Sequence, residues 1–222
     1  NHRQQQAGNF QNQIFQMIEG EKLGSFWGYT FAGVWQEDDV NAPFVDANGQ
    51  TNGKTNGEVY KVKPGNSKYV DVNKDGVYND ADQGIIGCGQ PTFNWGWNNT
   101  FNYKNFDFSF FVVGFHGFDI YNATHQMGYN LIKSQQMAGV TPMRELLNRW
   151  TPTNTNTDIP GFVKGGTENK DFFSTRFVEN GSFIKMKSIT LGYTLPEATC
   201  RSLGINNLRV YASVQNPFHI TK

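Results

Sequence analysis

The sequence predicts an all-β fold: part of a large antiparallel transmembrane β-barrel, with about four strands in this chain and long extracellular loops. Several stretches alternate aromatic or aliphatic residues with small polar residues at the period of a β-strand. Aromatic residues make up 15% of the chain and charged residues only 17%, below the roughly 25% usual in soluble domains. The longest nearly apolar run, Phe110 to Phe115, is far shorter than the ~20 residues of a membrane-spanning helix.

The first pair of strands is predicted at about 91–104 and 106–122. Between Phe93 and Tyr103 one face is aromatic except for Asn99, and the other face contains only Asn, Gly and Thr. This length fits the ~9–11 residues of a tilted transmembrane strand. The two residues at 104–105 then form a tight connection, so the pair is a hairpin.

The second pair is predicted at about 183–196 and 206–220, where the same alternation recurs. Residues 123–176 between the pairs are predicted as an extracellular loop. This loop includes a short helix capped by Thr141, with four apolar residues on one face. These residues are Met143, Leu146, Leu147 and Trp150.

A membrane barrel is favoured over a soluble β-sandwich by the polar face of these strands. Sandwich strands usually expose Lys, Glu and Thr, whereas small uncharged residues suit a crowded, hydrated lumen. Short connections on one side and long ones on the other match the periplasmic and extracellular sides of a barrel. Four strands cannot close a barrel, and an open edge in lipid leaves backbone groups unsatisfied. The chain is therefore expected to be a fragment of a longer protein.

Residues 1–90 are rich in Asn, Gln and Gly and are predicted to form one long, structured extracellular loop region. Five aromatic residues between 26 and 35 form either a local core, which is the favoured interpretation, or a sugar-stacking surface. They are Phe26, Trp27, Tyr29, Phe31 and Trp35.

Residues 71–82 match the twelve-residue calcium loop. Oxygen donors occur at the ligand positions and Gly76 stands where the loop turns sharply. The proposed ligands are Asp71, Asn73, Asp75, the Val77 carbonyl, Asn79 and Asp82. The last position is Asp rather than Glu, and no clear helices flank the loop. The alternative is a turn in which Asn and Asp satisfy their own backbone; a bound Ca²⁺ would have a structural role.

Other classes of function find little support. Lys plus Arg and Asp plus Glu are 19 each, so no basic field attracts nucleic acid. Cys88 and Cys200 fit neither a disulfide framework nor a zinc cluster. The histidines show no metal spacing, and no nucleophile elbow or phosphate loop occurs, so no catalytic residues are predicted. Lys185 and Lys187 continue the outward register of Ile189, which suggests contact with lipid phosphates at the outer leaflet or, alternatively, a solvated strand end.

An ordered set of motifs resembles the C-terminal barrel region of SusC/RagA-type TonB-dependent outer-membrane transporters. The resemblance spans most of residues 17–222. Its motifs are Phe26–Tyr29, Gly33–Gln36, Tyr69–Gly76, Tyr103–Asp107, Arg149–Pro152, Glu179–Phe183, Leu191–Pro196 and Gln215–Phe218.

The resemblance implies a 22-strand class of barrel with a plugged lumen. It further implies import of glycans, or of peptides, across the bacterial outer membrane, beneath a SusD-like surface lipoprotein that acts as a lid. The TonB complex would drive import by acting on a plug that this sequence does not include, and substrate-binding residues are not identified. The competing interpretation is a secreted, calcium-binding β-sandwich that binds carbohydrate.

Overall fold

The computed structural model describes residues 3–4, 17–129, 143–161 and 172–221. The chain divides into two compact units that do not follow chain order. The loop unit comprises Asn1–Cys88 and Ile120–Glu179, and the strand unit comprises Gly89–Asp119 and Asn180–Lys222. Within the described ranges, no helix is long and apolar enough to cross a membrane.

The loop unit is built from short strands. They are β1 (Arg3–Gln4), β2 (Met17–Ile18), β3 (Ser25–Tyr29), β4 (Phe31–Val34), β5 (Pro43–Val45), β6 (Thr51–Thr55), β7 (Ser67–Tyr69), β8 (Gln83–Cys88), β11 (Asp119–Tyr121) and β12 (Val178–Asn180). Antiparallel ladders pair β1 with β2, β3 with β8, β4 with β7 and β5 with β6, and β11 and β12 form a further two-stranded sheet. Its helices are α1 (Glu37–Asn41), α2 (Asn56–Tyr60) and α3 (Ala123–Tyr129), with 3-10 turns at Asp80–Asp82, Arg144–Asn148 and Thr175–Phe177.

The loop unit has a core of its own, made largely of aromatic rings. Phe26, Tyr29 and Trp35 are buried, as the core interpretation of this cluster requires. Tyr29 stacks on Phe172 with ring centroids 4.4 Å apart. Other buried apolar residues are Val34, Phe44, Val62, Tyr69, Leu146, Ile159 and Phe177. From the same cluster, Trp27 and Phe31 are half-buried.

The predicted helix with four apolar residues on one face is wrong. Arg144–Asn148 is a five-residue 3-10 turn, in which Leu146 is buried and Leu147 is 78% exposed. A turn this short cannot align residues four apart on one face, because its side chains repeat every three residues. The Trp150 indole instead donates a hydrogen bond to the Gln36 side chain at 2.9 Å. Thr141 lies outside the described residues.

The strand unit is a single antiparallel meander. Its elements are β9 (Phe93–Tyr103), β10 (Phe106–His116), β13 (Phe183–Thr194), α4 (Glu197–Ser202), β14 (Arg209–Gln215) and β15 (His219–Thr221). The sheet order is β9, β10, β13, β14, and β15 pairs with β13 beyond the end of β14. From β9 to β14, each strand therefore pairs with the next one along the chain of this unit, as in an up-and-down barrel.

Register gives the sheet one aromatic and one polar face. Tyr103, Phe106 and Tyr193 lie opposite one another on three strands, and the rings of Phe106 and Tyr193 are 4.6 Å apart. The aromatic face is largely uncovered, since Tyr103 is 71% and Phe93 59% exposed. The polar face includes Asn102, Asp107, Ser109, Thr190, Gly192, Ser213 and Gln215. We assign the aromatic face to lipid and the polar face to the barrel lumen.

A β-bulge in β13 changes the predicted position of Lys185. Ser188 pairs with Phe111 but Met186 pairs with Val112, so Lys187 is an extra residue in the ladder. Beyond the bulge Lys185 pairs with Val113, on the polar face. The prediction that Lys185 continues the outward register is therefore wrong, because an extra residue shifts the alternation of all residues beyond it.

An ion pair crosses the polar face above Gly192. The Arg209 guanidinium on β14 donates two hydrogen bonds to the Asp107 carboxylate on β10, at 3.0 and 2.5 Å. A Cβ atom on Gly192 would lie 2.4 Å from an Asp107 oxygen. Glycine at this position of the middle strand therefore leaves room for the pair.

Candidate metal site in the loop unit

The calcium-like loop begins one residue after β7 and ends in a 3-10 turn that leads into β8. Asn79 begins this turn, and its side chain accepts a hydrogen bond from the Ala81 N–H at 2.7 Å. The Asp82 carboxylate accepts a hydrogen bond from the Asn79 N–H at 3.0 Å, which completes a capping box. Both ends of the loop are thus fixed by regular structure.

Asp71 and Asp82, the first and last predicted ligands, are turned into the loop. One Asp71 carboxylate oxygen accepts hydrogen bonds from the Gly76 N–H at 2.8 Å and from the Tyr60 hydroxyl at 2.9 Å. The other Asp71 oxygen is buried and has no hydrogen-bond partner among the described residues. Asp82 is buried, and its second oxygen accepts from the Val72 N–H at 2.8 Å.

Asp75 lies at the exposed tip of the loop and holds the tip together. It accepts hydrogen bonds from the Val77 N–H at 2.8 Å and from the side-chain amides of Asn73 at 2.9 Å and Asn79 at 3.1 Å. The pKa of Asp75 is lowered, chiefly by the Val77 backbone bond, because these donors favour the ionised carboxylate. The Val77 carbonyl accepts a bond from the Asn79 amide at 3.2 Å.

The turn at Gly76 requires glycine for two reasons. Its φ of +82° lies in the left-handed region that other residues rarely adopt. A Cβ atom there would lie 2.2 Å from a methyl carbon of Val59. The sequence motif predicts the first reason and not the second, because Val59 lies outside the motif.

Two tyrosines connect the loop to the aromatic core. Tyr60 stacks on Tyr78, with ring centroids 5.2 Å apart. Burial raises the pKa of Tyr78 to about 12 and also raises that of Tyr60, whose hydrogen bond to Asp71 adds to the effect. Tyr60 ends α2, eleven residues before Asp71. No sequence spacing indicates this contact, so sequence reasoning did not find it.

The fit of these residues to Ca²⁺ rests on the loop ends rather than on its tip. Within the described ranges, no three His, Cys, Asp or Glu side chains converge as a metal-binding group. The tip oxygens of Asn73 and Asp75 accept hydrogen bonds from the loop itself. The unpartnered Asp71 oxygen is the exception, since a buried carboxylate oxygen without a donor is costly and a cation would satisfy it.

A two-faced antiparallel meander, exposed on its aromatic side, defines this chain as a segment of an outer-membrane type of β-barrel. TonB-dependent receptor P3 of Formosa agariphila is 33% identical over 210 residues, which are 94% of this chain and 19% of the receptor. TonB-dependent receptor SusC of Bacteroides thetaiotaomicron is 30% identical over 162 residues, 72% of this chain and 15% of SusC. No family model matches the chain.

Solved structures give the same fold. The chain matches the RagAB peptide importer in its open-open state with a TM-score of 0.62 and 19% identity, over 93% of this chain and 20% of that one. The closed-closed state gives a TM-score of 0.60. The chain belongs to the SusC/RagA family of TonB-dependent receptors, and the predicted fold class is confirmed. It spans about a fifth of the length of the curated relatives it matches.

Proposed function

We propose that the protein containing this chain imports a nutrient across the bacterial outer membrane in a TonB-dependent manner. The observation that supports it most directly is the two-faced sheet, which requires lipid on its aromatic face and further strands at both edges. The relatives are named as TonB-dependent receptors, and import is the activity that such a barrel serves. No catalytic role is proposed, because these relatives are receptors and not enzymes.

For the cargo, we propose an oligosaccharide, with a peptide as the second candidate. The resemblance of the sequence motifs to the SusC/RagA family implies the first, and the fold similarity to a structure named as a peptide importer favours the second. A SusD-like surface lipoprotein would act as a lid. The TonB complex would contact the plug region of the receptor.

Uptake by intact cells tests this proposal. Cells with the full receptor should accumulate labelled oligosaccharides or peptides, and this uptake should stop when the TonB complex is deleted. Purification in detergent should recover the receptor together with a surface lipoprotein. Uptake that is unchanged without the TonB complex would contradict the proposal.

The competing β-sandwich would bury the aromatic face of its sheet against a second sheet. Trp97 is 55% and Phe101 53% exposed on that face, which favours a lipid-facing barrel instead. Solubility separates the two: the barrel requires detergent for extraction, and the sandwich would remain in buffer.

We further propose that residues 71–82 bind a structural Ca²⁺. The donors would be Asp71, Asp82 and the Val77 carbonyl, with Asn73, Asp75 and Asn79 joining when they exchange their hydrogen bonds within the loop for the cation. The unpartnered, buried oxygen of Asp71 supports this assignment. The self-satisfied turn remains the alternative, and its signature would be a loop that is equally ordered without calcium.

Calorimetric titration of the full receptor in detergent tests the site. Wild-type receptor should bind Ca²⁺, and Asp71→Asn should weaken binding at least tenfold, since it removes a ligand charge and keeps the side-chain shape. Asp80→Asn is the matched control, because Asp80 lies in the same loop but is not a proposed ligand. The absence of binding to wild type, or equal binding by Asp71→Asn, would contradict the proposal.

A further inference from the structure

The bulge in β13 places a lysine on the lumen face, where the sequence alone did not predict one. Lys185 pairs with Val113 and Phe183 pairs with Phe115, both beyond the extra residue Lys187. Lys185 is half-buried, whereas Lys187 is exposed. The two lysines are two positions apart but occupy different environments.

Lys185 has neighbours suited to an anionic ligand. His219 on β15 is its direct partner in the ladder, so both side chains belong to the same face. On that face the rings of Phe115 and Phe183 stack with centroids 5.2 Å apart at 26°. The Phe118 ring packs edge to face against Phe183, with ring centroids 6.3 Å apart. Two nitrogen-bearing side chains therefore lie beside an aromatic platform.

Neither basic residue is engaged elsewhere in the described part of the chain. Lys185 and His219 have no ion pair and no side-chain hydrogen bond there, in contrast to Arg209, which is paired with Asp107 on the same face. No acidic residue occupies the positions around Lys185 on this face, which are Val113, Phe115, Phe183, His219 and Thr221. The half-buried ammonium therefore retains its capacity to bind an anion, with less screening than a fully exposed one.

We propose that Lys185, His219 and the Phe115–Phe183 stack form a lumenal subsite for a carboxylate group on the imported molecule. The ammonium would form a charge-assisted hydrogen bond with the carboxylate, and the rings would contact the apolar face of a sugar or the carbon chain of a peptide. This proposal rests on the proposed import function. Within that function, the subsite would select imported molecules that contain a carboxylate.

Binding measurements on the full receptor in detergent test the subsite. They use two pairs of probes, each an acidic molecule and its neutral counterpart, which also distinguish a sugar carboxylate from a peptide carboxylate. One pair is an oligogalacturonate and its methyl ester, and the other is a glutamate-containing peptide and its glutamine counterpart. Wild type should bind the acidic member of one pair more tightly. Lys185→Ala should weaken that binding about tenfold, the factor expected for one charge-assisted hydrogen bond.

Three controls make the result specific. The neutral probe should bind Lys185→Ala and wild type equally, Lys185→Arg should retain most of the affinity, and Lys187→Ala should bind like wild type. No binding of either acidic probe to wild type, equal affinity in Lys185→Ala, or an equal loss for the neutral probe would overturn the subsite. Uptake that continues without charge preference would overturn the subsite alone, whereas loss of TonB dependence would overturn the import function.

Discussion

The two units use the same residue type for opposite purposes. In the loop unit aromatic rings are buried against one another, with Phe177 only 1% and Tyr29 only 4% exposed. In the strand unit most of them line the lipid face of the sheet and remain largely open, as at Phe93 and Tyr103, whereas Phe115 and Phe183 stack on the other face. The comparison shows that a high aromatic content does not by itself indicate a core. Strand length and the period of alternation decide which use a given ring serves.

The two units are also stabilised by different interactions. The loop unit has ladders of at most six residues per strand, so its side-chain core must hold them in place. The strand unit has ladders of about ten residue pairs and only a few buried side chains. Its sheet depends on backbone pairing and on the lipid and neighbouring strands of a complete barrel.

Removal of one buried ring should therefore cost far more in the loop unit than in the strand unit. Phe177→Ala should destabilise the loop unit by about 3–5 kcal/mol, the range for a buried Phe. Phe101→Ala is the matched variant, because Phe101 is 53% exposed on the lipid face. Hydrogen exchange of the full receptor in detergent should show faster exchange throughout the loop unit for Phe177→Ala.

The same experiment can contradict this contrast between the two units. Phe101→Ala should leave exchange in the loop unit unchanged and produce at most a local change in β9 and β10. Equal protection losses in the two variants would mean that the loop unit does not have an independent core.

The next largest effect is expected at Gly76. Gly76→Ala introduces strain at φ +82° and a close contact with Val59, whereas Gly49→Ala, at φ +76°, introduces strain in open space. The difference between the two variants isolates the contact and should be about 1–3 kcal/mol, as for overpacking. Exchange of the 71–82 amides measures the loss for Gly76→Ala, and exchange of the 46–50 amides measures it for Gly49→Ala. Similar losses in both variants would show that Val59 moves aside freely.

Alkaline pH should affect the loop unit through its buried phenols. The pKa of Tyr78 is raised from 10.0 to about 12, because burial disfavours the phenolate. The stability that this group contributes is complete below pH 10 and is lost as the pH rises towards 12. Absorbance of tyrosinate during titration measures this, with Tyr78→Phe lacking one late-titrating group. Ionisation of Tyr78 near pH 10 would contradict its placement.

The sequence predicts the strand unit well because a strand that separates lipid from lumen must alternate at every position. It fails at Lys185, because the prediction extends the parity of Ile189 and Leu191 through a bulge. The apolar positions of β13 do change from even numbers, Ile184 and Met186, to odd numbers at that point, and the consecutive polar residues Lys187 and Ser188 mark the change. The sequence predicts a longer helix where Arg144–Asn148 forms a 3-10 turn, because the apolar residues there have helical spacing.

For the candidate site, the motif identifies the residues of the loop but not their partners. The spacing of Asp71, Gly76 and Asp82 reflects local geometry, which sequence encodes directly. Tyr60 and Val59 reach the loop from α2 through tertiary packing, and their positions follow from the fold of the whole unit. Whether the loop is stable without Ca²⁺ depends on these contacts, so calcium binding stays a prediction.

The smallest effect is expected at the Asp107–Arg209 ion pair, where the strand unit resembles an ordinary surface. Its side chains are 24% and 42% exposed, so solvent and salt screen the attraction. A double-mutant cycle with Asp107→Asn and Arg209→Gln should give a small coupling that disappears in high salt. Gly192→Ala provides the control, because its Cβ would displace the pair and leave both charges in place. A large coupling that persists in high salt would mean that this part of the lumen is shielded from water, which would contradict the expected hydrated lumen.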